Sequence, residues 1–198
     1  MNILNLYSGI GGNRKLWKDV KVTAIELNSQ IANIYQGFFP SDKVIVEDAH
    51  QYLLHNYKEF DFIWSSPPCP THSRMRLSNK NKVYPDMTLY QEIIFLKHNF
   101  KGNWIVENVI PYYQPLIKPI TLNRHCFWSN FHISLKEFPK MHTCKIRKER
   151  EFLQKQFGFN LDKATNIDKR KVLRNCVLPE LGLHILNASK KPQNNILF

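Results

Sequence analysis

Over its first 110 residues the chain alternates short apolar runs with amphipathic stretches. That alternation constrains the fold more than any other feature. "NILNLY" (2–7), "KVTAIEL" (21–27), "KVIVED" (43–48), "FDFIW" (60–64) and "NWIVENV" (103–109) each read as a buried strand. Between them, residues 13–20, 29–39, 49–57 and 86–99 carry apolar side chains at helical spacing. Strands separated by helices need crossover connections, so the expected fold class is α/β, a mostly parallel sheet with helices on both faces. Ligands of such sheets bind beyond the carboxyl ends of the strands. Gly9, Glu26, Asp48, Cys69 and Glu107 all fall at or just after an expected strand end.

A chain of 198 residues with 43% hydrophobic content can bury one core with a small appendage. The opening "MNILNLYSGIGG" reaches glycine too early for a signal peptide, and no apolar run approaches a membrane span, so a cytoplasmic protein without membrane contact is expected. Cys69, Cys126, Cys144 and Cys176 lie far apart with no C-x-x-C pair, which argues against a disulfide framework and a zinc knuckle. His142 and Cys144 make two candidate ligands without a second pair, and no metal is expected.

Lysine and arginine exceed aspartate and glutamate by 12, and the excess is one-sided. Residues 1–110 hold 12 basic and 10 acidic side chains, whereas residues 111–198 hold 16 and 6. With "KIRKER" (145–150) and "KRKVLR" (169–174) in the basic part, a nucleic-acid phosphate backbone fits as partner better than solubility alone. Strand signal also fades after about residue 135, leaving one expected helix at 146–157, and "LPELGLHIL" (178–186) regains a helical pattern that suits packing back on the sheet. The expected division is therefore 1–134 for cofactor binding and catalysis, 135–172 as a small basic lobe for recognition, and 173–198 as a returning segment.

"YSGIGG" (7–12) follows a strand, so Ser8, Gly9, Gly11 and Gly12 form a turn that a ligand can approach closely. No lysine-serine pair follows as a phosphate loop would require, which argues against a triphosphate. Glu26 suits ribose hydroxyls, or is simply an acid near a helix start. Asp48 suits an adenine amino group, or caps the helix that begins at Ala49. Together these features fit an adenosine cofactor without a pyrophosphate, S-adenosyl-L-methionine foremost. In "SSPPCPTHSR" (65–74), Pro67, Pro68 and Pro70 stiffen the backbone around Cys69, as a loop presenting a reactive thiol would require and as a plain rigid turn would also show.

"LYSGIGG", Glu26, Asp48, "SPPCP", "ENV" (107–109) and "RNCVLPELGLHIL" (174–186) stand in the order found in DNA (cytosine-5)-methyltransferases, which the chain resembles over roughly residues 3–133 and 172–186. The resemblance implies a Rossmann-like methyltransferase fold and methyl transfer from S-adenosylmethionine to carbon 5 of a flipped-out cytosine in double-stranded DNA, in a setting such as restriction-modification. It makes Cys69 the nucleophile and Glu107 the group that holds the base. Arg124 partly matches the arginine motif at the base's O2. Tyr7, Leu27, Ala49, Pro67, Asn175 and Val177 join the cofactor set. Ser73, Arg74, Arg76 and Lys80 in the polar loop 71–82, with Lys145, Arg147, Lys148 and Arg150, are the expected nucleic-acid contacts. An amino-methyltransferase would carry Tyr or Phe after the prolines, so Cys69 favours the carbon-5 reaction. RNA as substrate and a catalytically degenerate binding module are the alternatives. Departures from the pattern are Pro70 in place of glutamine, Arg174 in place of glycine, and a recognition region reduced to about 135–172. A monomer is expected, and a specificity partner is left unassigned.

Overall fold

The structure is a computed structural model and describes residues 1–74, 83–139 and 148–192. Seven strands, β1 (Asn2–Leu6), β2 (Lys21–Ile25), β3 (Lys43–Ile45), β4 (Phe62–Ser65), β5 (Asn103–Val109), β6 (Ile120–Leu122) and β7 (His125–Ser129), form one sheet in the order β3-β2-β1-β4-β5-β7-β6. The first five are parallel, while β7 runs antiparallel to β5 and β6 antiparallel to β7. β2 and β3 lie on one side of β1, and β4 and β5 on the other. The winding therefore reverses between β1 and β4, and such a reversal opens a crevice at the carboxyl ends of those two strands.

Both faces of the sheet are covered, as crossover connections require. Along β4, Phe62 and Trp64 join one apolar cluster and Ile63 the other, and along β5 Ile105 joins the first while Trp104 and Val106 join the second. Helices α1 (Ser29–Phe38), α4 (Glu149–Phe157), α5 (Lys169–Arg174) and α6 (Pro179–Ser189) contribute to the first cluster, and α2 (Ala49–Asn56) and α3 (Thr88–Asn99) to the second. Leu153, Phe157, Phe159 and Leu161, within the basic stretch, are buried in the same cluster as Ile3 and Trp64.

Two expectations are corrected by the structure and one reading is extended. Residues 13–20 form turns, not a helix. Their side chains reach inward: Asn13 Nδ2 donates to Asn5 Oδ1 at 2.8 Å, Arg14 pairs with the buried Asp42 through Nε and Nη2, and Trp17 Nε1 donates to the Gly182 carbonyl. α6 packs so closely here that a Cβ on Gly182 would lie 2.3 Å from the Asn13 carbonyl oxygen. Fully burying Leu181, Ile185 and Leu186 of α6 stabilises by about 1.5–3 kcal/mol each. An isolated helix this short has almost no stability of its own, so docking wins. Second, "KRKVLR" is not only a charge run. Asp168 caps α5 by accepting from the Arg170 and Lys171 amides, and Val172 and Leu173 are buried. Third, Glu107 lies inside β5, not at its end. The hairpin β6–β7 was not legible as strands, being a three-residue and a five-residue piece joined through Asn123 at φ +56°.

Candidate active site

The turn after β1 sits at the crevice. Tyr7, Gly9 and Gly11 have φ of +54°, +53° and +82°. A Cβ on Gly11 would lie 2.3 Å from the Phe39 ring, and one on Gly12 would lie 2.7 Å from both Cys176 Cβ and the Val177 carbonyl, whereas the same position on Gly9 faces open space. The turn is thus wedged against α1 and the 175–177 segment on one side and open on the other. Glu26 holds it in place, since Oε2 accepts from the Gly9 amide at 3.0 Å and Oε1 from the Asn28 amide at 2.9 Å. Asp48 caps α2 through Oδ1, which accepts from the Gln51 amide. Leu27 is 69% exposed beside Glu26, and Ala49 is buried. Ser8 Oγ is buried without a partner among the described residues. A buried hydroxyl awaiting a partner, an open glycine and two acids at the ends of β2 and β3 form a donor and acceptor set that fits an S-adenosylmethionine cofactor.

Cys69 is half-buried in the loop that leaves β4. Its carbonyl accepts from the His72 and Ser73 amides, closing a turn directly after the thiol. Ser73 also bridges to Pro111, and His72 Nδ1 lies 2.6 Å from the Tyr113 hydroxyl. From the next strand, Asn108 Nδ2 donates to the Pro67 carbonyl at 3.0 Å. The Glu-Asn-Val segment therefore grips the proline loop while presenting Glu107 beside it. Glu107 is 6% exposed, and its Oε1 lies 2.5 Å from His125 Nδ1 on β7. His125 was not singled out in the sequence. Its partner lies 18 residues away on an antiparallel strand, so only register brings the two together.

Arg124 completes the group. Nη2 donates to the Arg174 carbonyl and, at 3.1 Å, to the Cys176 carbonyl, while Nε is buried with no partner among the described residues. Burial pushes the Cys69 thiol above its ordinary range and the Glu107 carboxylate adds to the rise, while the Arg124 and Lys171 charges pull it back. Arg174, in the glycine position of the resembled motif, donates from Nε and Nη2 to the Glu149 carboxylate at 2.8 and 2.7 Å, which holds Glu149 below the usual carboxylate range. Asn175 is exposed and Val177 buried behind Gly12.

The expected phosphate contacts are spread more widely. Arg74 Nε donates weakly to the Pro111 carbonyl at 3.4 Å. Lys148 is solvent-exposed 3.9 Å from Glu151, and Arg150 lies 3.8 Å from Asp162. Arg76, Lys80, Lys145 and Arg147, with His142 and Cys144, lie outside the described residues. Among the described residues no three metal-ligating side chains gather, and no helix is long and apolar enough to cross a membrane.

A family model for C-5 cytosine-specific DNA methylases matches residues 1–111. Among curated proteins, tRNA (cytosine(38)-C(5))-methyltransferase of Spodoptera frugiperda is 33% identical over 79 residues, covering 36% of this chain and 24% of that protein. The chain thus spans about a quarter of that relative's length. Among solved structures, a mutant of Spodoptera frugiperda DNMT2 superposes with a TM-score of 0.39 at 27% identity over 55% of this chain and 35% of that one. Entamoeba histolytica methyltransferase EhMeth superposes with a TM-score of 0.44 at 13% identity over 79% and 65%.

Proposed function

Because the chain belongs to the C-5 cytosine-specific DNA methylase family, we propose that it transfers a methyl group from S-adenosylmethionine to carbon 5 of a flipped-out cytosine in DNA, through a covalent adduct of Cys69. The observation that carries this reading is the convergence on Cys69. The proline loop is tied to β5 through Asn108, Glu107 lies beside it, and both the Glu107 and Arg124 charges act on the thiol.

Carbon 5 of cytosine is too weak a nucleophile to take a methyl group unaided. The Cys69 thiolate adds to carbon 6, and the ring becomes an enamine with electron density at carbon 5. Glu107, anchored to His125 through Oε1, holds N3 and the exocyclic amine and stabilises the charge that develops as sulfur adds. Arg124 is assigned to the base's O2. The bound cofactor supplies an electrophilic methyl group on a sulfonium. Loss of the carbon-5 proton to a base then lets the sulfur leave and regenerates the thiolate. Tyr7, Ser8, Gly9, Gly11, Gly12, Glu26, Leu27, Asp48, Ala49, Pro67, Asn175 and Val177 form the cofactor site. Residues 135–172, with Ser73 and Arg74, meet the phosphate backbone. Extruding the base costs on the order of a few kcal/mol of unstacking.

DNA containing 5-fluorocytosine tests this reading, because fluorine at carbon 5 is not lost as a proton is. The wild-type chain should be trapped covalently, and Cys69→Ala should neither trap nor methylate. Turnover by Cys69→Ala would refute it. A second reading, an RNA cytosine as substrate, is supported by the tRNA-modifying relative. Parallel trapping on duplex DNA and on RNA of matched sequence discriminates the two.

A further inference from the structure

Glu92, on α3, is fully buried and has no part in the chemistry above, yet it gathers donors from three separate elements. The Tyr7 hydroxyl donates to Oε1 at 2.6 Å, the Ser65 hydroxyl donates to Oε2 at 2.5 Å, and His50 Nδ1 lies 3.1 Å from Oε1. A carboxylate withdrawn from water is tolerated only where such partners replace its hydration. All three partners stand at functional junctions. Tyr7 opens the glycine turn, His50 follows Asp48 and Ala49, and Ser65 ends β4 four residues before Cys69. Tyr7 also holds a left-handed backbone at φ +54°, which a residue with a side chain keeps only when its surroundings over-determine it. Burial, with Glu92 beside it, pushes the Tyr7 phenol well above its ordinary range, so it remains a donor.

We propose that Glu92 is a positioning residue that fixes the Tyr7 ring and the start of α2 around the cofactor and anchors the strand end from which the Cys69 loop departs. This rests on the cofactor reading given under Proposed function. An amide at position 92 accepts through one oxygen only and cannot serve both hydroxyls and the imidazole as the carboxylate does.

Calorimetric titration of the full chain with S-adenosylmethionine provides the test. Glu92→Gln and Tyr7→Phe should each raise the dissociation constant about ten-fold, and the double variant should be no worse than the weaker single, because both remove one shared contact. At saturating cofactor, Glu92→Gln should also lower kcat more than Tyr7→Phe does, because only Glu92→Gln releases Ser65. A purely structural role would reduce folded yield while leaving the dissociation constant and kcat per folded molecule unchanged. Wild-type protein that binds no S-adenosylmethionine would instead defeat the cofactor reading. If Glu92→Gln fails to fold, Tyr7→Phe decides alone, since it deletes a single hydroxyl, and wild-type affinity in that variant overturns the proposal.

Discussion

Cys69 keeps its proton more firmly than an ordinary thiol, because burial and the neighbouring Glu107 carboxylate both disfavour the thiolate. The thiolate is the nucleophile, so reactivity should rise with pH and reach half its limit above the usual thiol value of about 8.5. Iodoacetamide labelling of Cys69, followed by peptide mass mapping across pH, measures this directly. A midpoint at or below the ordinary value would contradict the structure. Cys176, pushed up to about 12 by complete burial, serves as the unreactive internal control. His125→Ala should lower turnover by about 100-fold while leaving cofactor affinity unchanged, since a misplacement of ~1 Å at a reacting group has that cost. Steady-state kinetics beside cofactor titration checks both halves of that statement. Cys69 and Glu107 were legible because their motifs mark them, although Glu107 lies inside β5 and not at the strand end expected for it. His125 was not, because an imidazole that opens a short strand, three residues before Trp128, says nothing until β7 is laid against β5.

The turn at 7–12 is held by its neighbours as much as by its glycines. Gly12→Ala places a methyl group 2.7 Å from the Val177 carbonyl and Cys176 Cβ, and backbone cannot yield as a flexible side chain does. The variant should lose about 1–3 kcal/mol of stability, as overpacked sites do, measurable by urea unfolding with unchanged slope. Gly9→Ala meets no atom within 4 Å, so its cost comes from the positive φ alone and should be smaller. Between α4 and α5, Arg174 depresses the Glu149 carboxyl below its unfolded value. A depressed acid stabilises the fold above its unfolded pKa, and that contribution vanishes as pH falls through the folded pKa. The urea midpoint should therefore drop on acidification from about pH 5, and Glu149→Gln should flatten that decline. An unchanged acid limb in Glu149→Gln would show that the pair does not stabilise this junction. Sequence periodicity placed α1, α2, α3, α4 and α6 within a few residues. It failed at 13–20, where Asn13, Arg14 and Trp17 bond inward to Asn5, Asp42 and Gly182 in preference to forming a helix.

The whole molecule carries a net charge of +12, concentrated beyond residue 110. Under the function proposed above, such charge would meet phosphates, which hold a duplex without reading it, and residues 135–172 would be too few for an extensive base-reading module. Methylation mapped at base resolution should therefore show a short site of about two to four base pairs, each good bidentate contact supplying about 1–3 kcal/mol of discrimination. Lys148→Gln with Arg150→Gln should weaken binding to every sequence alike and reduce the salt slope by up to about 0.9 per lost phosphate contact. A map confined to one site of about six or more base pairs would point to a separate specificity subunit. The sequence by itself determined the parallel sheet, the glycine turn, the thiol loop and the basic half, because these depend on local period, turn chemistry and composition. Only the tertiary structure decided that Glu92 reaches Tyr7 across 85 positions, that Arg124 bonds the Cys176 carbonyl across 52, and that α6 occupies the flank where residues 13–20 were expected to be helical. Those contacts arise from strand order and register, and from the requirement that each buried polar group find a partner, wherever in the chain that partner lies.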